Sequence, residues 1–65
     1  MKGAITKEGR EVAAWMIGQL SYLTRGYRNI VIGCYKSAIQ NYGYAEPTDG
    51  EGVIVDYVIE IMKSL

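Results

Sequence analysis

The chain has 65 residues, with seven basic and seven acidic side chains, no His, one Cys and 49% hydrophobic residues. Such a length makes a single small domain, 1–65, and charged residues at 22% belong to a globular chain rather than a disordered one. These counts exclude a disulfide-stapled scaffold, because Cys34 has no intrachain partner, and the usual zinc sets, which draw on His and several Cys.

The first predicted element is a helix over about 6–24. Val12, Ala13, Met16, Leu20 and Leu23 recur at spacings of three and four, while Lys7, Arg10, Gly18 and Ser21 fall on the other side. Thr6 is the expected N-cap, with Glu8 near the positive end of the helix dipole, and Gly26 the expected stop.

A second helix is expected over about 28–42. It places Val31, Ile32, Tyr35, Ala38, Ile39 and Tyr42 on one side, with Gly43 ending it. The run Asn29-Ile30-Val31-Ile32-Gly33-Cys34-Tyr35 is also rich in β-branched residues, so a strand near 29–35 is the alternative.

The segment Tyr44–Gly52 reads as a loop, because Pro47 blocks helix continuation and Asp49-Gly50 favours a turn. Thr48 and Glu51 have the spacing of a capping box, which predicts a third helix over about 49–64. Its apolar face is Ile54, Val55, Val58, Ile61, Met62 and Leu65, opposite Asp56, Glu60 and Lys63. The alternation across 53–61 also suits a strand. The fold expected is therefore an all-α three-helix bundle, with an α+β arrangement using strands near 29–35 and 53–61 as the alternative.

Three helices of this length bury one stripe each, and the sequence holds more apolar surface than that. Trp15 and Tyr22 form a second line on the first helix, Tyr57 and Ile59 flank the core stripe of the third, and Ile30 and Cys34 widen the second. A chain this short buries only about 60% of the surface its unfolded form exposes, and association is a common way to add stability. Ala14 and Gly18, four residues apart, and the mid-helix Gly33 would let backbones approach closely. Residues 1–36 carry a net charge of +4 and residues 37–65 a net charge of −4, a polarity that suits docking within the chain or between copies. A homodimer or larger oligomer is expected, with Ile30, Cys34, Tyr57 and Ile59 as its interface.

Catalytic chemistry has little to stand on. Without His the chain lacks the commonest general base near neutral pH, and Cys34 in an apolar setting would be inert. Asp56 and Glu60 share a helix face beside Lys63, which is the pattern of a solvated stripe. No enzyme activity, metal or cofactor is expected.

Binding has more support. Trp15, Gln19, Tyr22, Arg25, Tyr27 and Arg28 combine the aromatic and Arg chemistry of binding hot spots, and a protein partner is expected there. Such a module would suit a phage or mobile-element inhibitor of a host protein. One alternative is a helix-turn-helix DNA binder built on Thr24-Arg25-Gly26-Tyr27-Arg28-Asn29. Against nucleic acid stand the zero net charge and a following helix that opens Ile30-Val31-Ile32-Gly33, with few side chains able to read bases. Another alternative is an oligomeric site for a small anionic, nucleotide-like ligand, with Trp15 and Tyr22 stacking while Arg25 and Arg28 supply charge. No apolar run reaches the ~18–20 residues of a membrane span, and the N-terminus turns charged at Lys2 and Lys7-Glu8. A cytoplasmic location is expected.

Overall fold

A computed structural model describes residues 5–21 and 28–64. Within them lie three helices, α1 (Lys7–Leu20), α2 (Arg28–Asn41) and α3 (Glu51–Ser64), and each packs against the other two. The three-helix bundle is thus the fold. Both segments that also read as strands, 29–35 and 53–61, are helical, so the α+β alternative is wrong. Residues 22–24, given to the first helix by its periodicity, lie outside the described residues, as do the stop at Gly26 and the apolar positions Leu23 and Leu65.

α1 begins as its sequence predicts. The Thr6 hydroxyl accepts from the Gly9 amide at 3.0 Å, and the Thr6 carbonyl accepts the first helical bond from Arg10 at 2.9 Å. α2 ends at Asn41, where Gly43 takes the left-handed backbone (φ 78°) and the Tyr44 amide reaches back to the Ala38 carbonyl at 3.2 Å.

The entry into α3 differs from the expectation. Thr48 and Glu51 do not form the capping box. The helix starts at Glu51, two residues after the expected Asp49, and the Gly50 carbonyl accepts its first bond from Ile54 at 3.2 Å. Gly50 is therefore the cap residue, at a φ of 98° that a side chain would strain, and its amide closes a turn onto Pro47. Asp49 turns away from its own helix and binds Thr6, which fastens the starts of α1 and α3 together.

α2 runs antiparallel to α3. Arg28 at its start meets Asp56, while Tyr35 further along shares a hollow with Glu51 at the beginning of α3. The centre is built from Val12, Ala13, Met16 and Leu20 of α1, Val31, Tyr35 and Ala38 of α2, and Ile54, Val55, Val58 and Met62 of α3. These come from the expected stripes, of which Ile32, Ile39 and Ile61 are only half-buried and Tyr42 is not buried at all. Tyr42, assigned to the buried side of α2, is 62% exposed, because the helix has already ended before it.

Candidate functional site

The side chain that organises the candidate site is Trp15. It sits half-buried on α1 between the core positions Ala13 and Met16, with one edge against the core. Two tyrosines from the far end of α2 close on it. The ring of Tyr42 lies 4.8 Å from Trp15, centroid to centroid and tilted by 44°, and that of Tyr44 lies 5.7 Å away, tilted by 46°. Tilted pairs at such separations contribute about 0.5–1.5 kcal/mol beyond their burial. The left-handed turn at Gly43 lies between the two tyrosines that both reach the indole. Gln19, one turn along α1 from Trp15, is exposed on the same face. The result is an aromatic corner with Tyr42 largely in solvent.

Of the six expected partner-binding residues, Trp15, Gln19 and Arg28 are among the described residues. Trp15 and Gln19 belong to this corner. Arg28 does not: its guanidinium is held by Asp56 at 2.6 Å, with both side chains more than half exposed. This ion pair joins the basic half of the chain to the acidic half within one subunit. Tyr22, Arg25 and Tyr27 lie outside the described residues, and with them most of the helix-turn-helix segment. Trp15, expected to stack on a ligand, instead packs at a tilt against Tyr42 and Tyr44 of its own subunit, two residues outside the expected binding set. The available signal was local, two tyrosines flanking a helix-ending glycine.

Of the expected interface set, Ile30 is bare, at 46% exposure. Cys34, Tyr57 and Ile59 are half-buried and pack against the core of their own subunit. Each stands at the shoulder of its helix, where a three-helix packing reaches further round than one stripe. Burial pushes the Cys34 thiol above its ordinary pKa, which keeps it protonated and unreactive. Val53 in the first turn of α3 is also bare, at 48%. The large apolar side chains left open are therefore Ile30, Tyr42 and Val53, among the described residues.

Gly18 and Gly33 do not mark close approaches within the subunit, since an added Cβ at either would meet nothing within 4 Å. The close approach is at Gly9, buried where α1 passes α3. Among the described residues no cluster of three or more His, Cys, Asp or Glu is placed to hold a metal ion, and no helix is long and apolar enough to cross a membrane. Comparison with protein-family models, with curated proteins and with solved structures finds no match.

Proposed function

We propose that this protein is a small non-catalytic interaction module that associates with a second copy of itself through the aromatic corner at Trp15, Tyr42 and Tyr44. The observation that carries this reading is Tyr42, 62% exposed and already packed at a tilt against Trp15. A Trp–Tyr pair held in place before binding loses little side-chain freedom on contact, and these residue types dominate binding hot spots. A second copy suits the charge distribution, because a +4 half and a −4 half are complementary when two chains pack with opposite ends together. Association also adds apolar burial to a fold too short to gain much from its own core. Acting further, such a module would occupy the surface of a larger protein in a fixed ratio, as a phage or mobile-element modulator of a host protein does. Arg28, tied to Asp56, has less to offer a phosphate than its sequence position suggests.

Light scattering across a concentration series tests the reading. The expected result is a mass that rises from one subunit to two, with Tyr42→Ser weakening the association by about tenfold, the equivalent of one lost hot-spot contact. Because Tyr42 lies outside the core, its replacement costs the single subunit only the ring contact with Trp15, about 0.5–1.5 kcal/mol, and leaves it folded. A single-subunit mass at every concentration, or a Tyr42→Ser chain that pairs as tightly as the unaltered one, overturns it.

A further inference from the structure

Asp49 is followed by Gly50, and the fold has a separate use for each. The turn into α3 holds Gly50 at a φ of 98°, where a side chain would be strained. The join between α1 and α3 needs a carboxylate at 49 to accept the Thr6 amide and hydroxyl. Together these requirements set an aspartate before a glycine, the dipeptide whose backbone rearranges most readily. No side chain at 50 shields the Gly50 nitrogen from the Asp49 carboxyl. Both residues are only half-buried, so water reaches them.

The rearrangement is a balanced isomerisation that needs water alone. The Gly50 amide nitrogen attacks the carbon of the Asp49 carboxyl, and a C–N bond closes a succinimide ring. The amide hydrogen and the carboxyl hydroxyl leave as water. Water then opens the ring at either carbonyl: one opening restores aspartate, and the other leaves the main chain running through the side-chain carbon, as isoaspartate. Two features of the folded chain oppose ring closure. The departing hydroxyl comes from a protonated carboxyl, whereas both Asp49 oxygens are engaged by Thr6, whose hydroxyl and then amide hold the group below its ordinary pKa. The Gly50 N–H, which has to be given up, donates to the Pro47 carbonyl at 3.3 Å.

We propose that Asp49-Gly50 is a site of spontaneous isoaspartate formation, closed while Asp49 is bound to Thr6 and open once it lets go. The product carries an extra carbon in the main chain at the entry to α3. Its carboxylate sits directly on Cα, one carbon short of the reach to Thr6. Isomerisation therefore unfastens the starts of α1 and α3. The site lies within one subunit and shares no residue with the aromatic corner, so it stands or falls separately from the self-association reading.

Ageing the whole chain at neutral pH and physiological temperature tests it, with peptide mapping and electron-transfer fragmentation to locate isoaspartate. Asp56, inside α3 and followed by Tyr57, is the internal control. The expected result is isoaspartate at 49 and not at 56, accumulating about tenfold faster in the Thr6→Val chain, the effect of losing one charge-assisted hydrogen bond. Thr6→Ser keeps the hydroxyl and should age as slowly as the unaltered chain. Should Thr6→Val fail to fold, the unaltered chain still decides, because it should age faster in urea than in buffer. The purified isoaspartate form should melt below the unaltered chain. The proposal is overturned by equal rates in urea and in buffer, by a Thr6→Val chain that ages no faster than Thr6→Ser, or by an isoaspartate form that melts like the unaltered chain.

Discussion

Asp49 binds Thr6 twice: one carboxylate oxygen accepts the Thr6 amide at 3.1 Å and the other accepts its hydroxyl. The same hydroxyl oxygen accepts from the Gly9 amide, so the cap of α1 is also the clasp that holds the start of α3. Two helix ends far apart in sequence thereby become one structural unit, on which the packing of Ile5, Gly9 and Ile54 depends.

The clasp makes stability depend on acidity in a defined direction. The Thr6 hydroxyl and then the Thr6 amide, with a smaller contribution from Arg10, hold the Asp49 carboxyl below its ordinary value of 3.8 against the opposing effect of burial. A carboxyl with a depressed folded-state pKa stabilises the fold fully above its unfolded pKa. That contribution is lost as pH falls from the ordinary value through the depressed one. Asp49→Asn should therefore unfold at lower temperature than the unaltered chain at neutral pH. The gap should narrow on acidification below about pH 4, the unfolded carboxyl range. Thermal melts of both chains across that range check it, and a gap that stays constant with pH rules the clasp out.

Glycines at three positions should respond in opposite senses to the same substitution. Alanine favours a helix interior over glycine by about 1 kcal/mol. At Gly18 and Gly33, where a Cβ meets open space, that gain should appear in full in the single subunit. At Gly9 the new Cβ would fall 2.7 Å from Ile5 Cγ2, 2.8 Å from Asp49 Oδ1 and 2.8 Å from Ile54 Cδ1. Overpacking of that kind costs about 1–3 kcal/mol and outweighs the propensity gain. Denaturant unfolding of Gly9→Ala beside Gly18→Ala and Gly33→Ala should show one chain weakened and two strengthened.

The contrast among these glycines also shows what a sequence reveals. Period and polarity made the faces of α1 and α3 legible, since Val12, Met16, Ile54 and Val58 each recur against charged neighbours. They left α2 open to a strand reading because Ile30, Val31 and Ile32 favour extended backbone, and only packing of Val31, Tyr35 and Ala38 into the core selects the helix. Thr48 and Glu51 have capping-box spacing, yet the start of α3 is set by a contact from Asp49 to Thr6 that no local pattern contains. The close passage at Gly9 and the meeting of Trp15 with Tyr42 and Tyr44 are likewise contacts between distant segments. Gly18 and Gly33, placed mid-helix, drew the inference that Gly9 deserved.

The bridge between Arg28 and Asp56 should matter little to stability. Its geometry is short, but both side chains are more than half exposed, at 53% and 64%, where water screens the pair. Exposed ion pairs contribute about 0.2–1 kcal/mol. A double-mutant cycle with Arg28→Ala and Asp56→Ala should return a coupling energy in that range, shrinking as salt is raised. A larger, salt-independent coupling would mean that the pair is covered in solution, as by a docked copy.

Cys34 should react slowly with alkylating reagents. Its thiol is half-buried against the core, and burial raises its pKa, so little thiolate is present near neutral pH. Iodoacetamide labelling should proceed more slowly in the folded chain than in the same chain unfolded by urea. Raising the pH should speed labelling of the unfolded chain first. Equal rates in the two states would place the thiol in open solvent.

Tyr35→Phe tests what the buried phenol contributes to the fold. Removing a hydroxyl that is bonded within a protein core costs about 1 kcal/mol, whereas removing an unpaired one relieves a burial penalty of about 1–3 kcal/mol. Tyr35 bonds to no other group among the described residues, and its ring already fills space beside Val31 and Ala38 that phenylalanine would keep. The Tyr35→Phe chain should therefore unfold at the same temperature as the unaltered chain or above it, as thermal melts of both would show. A Phe chain that melts lower would mean that the hydroxyl is paired in solution and serves the fold itself.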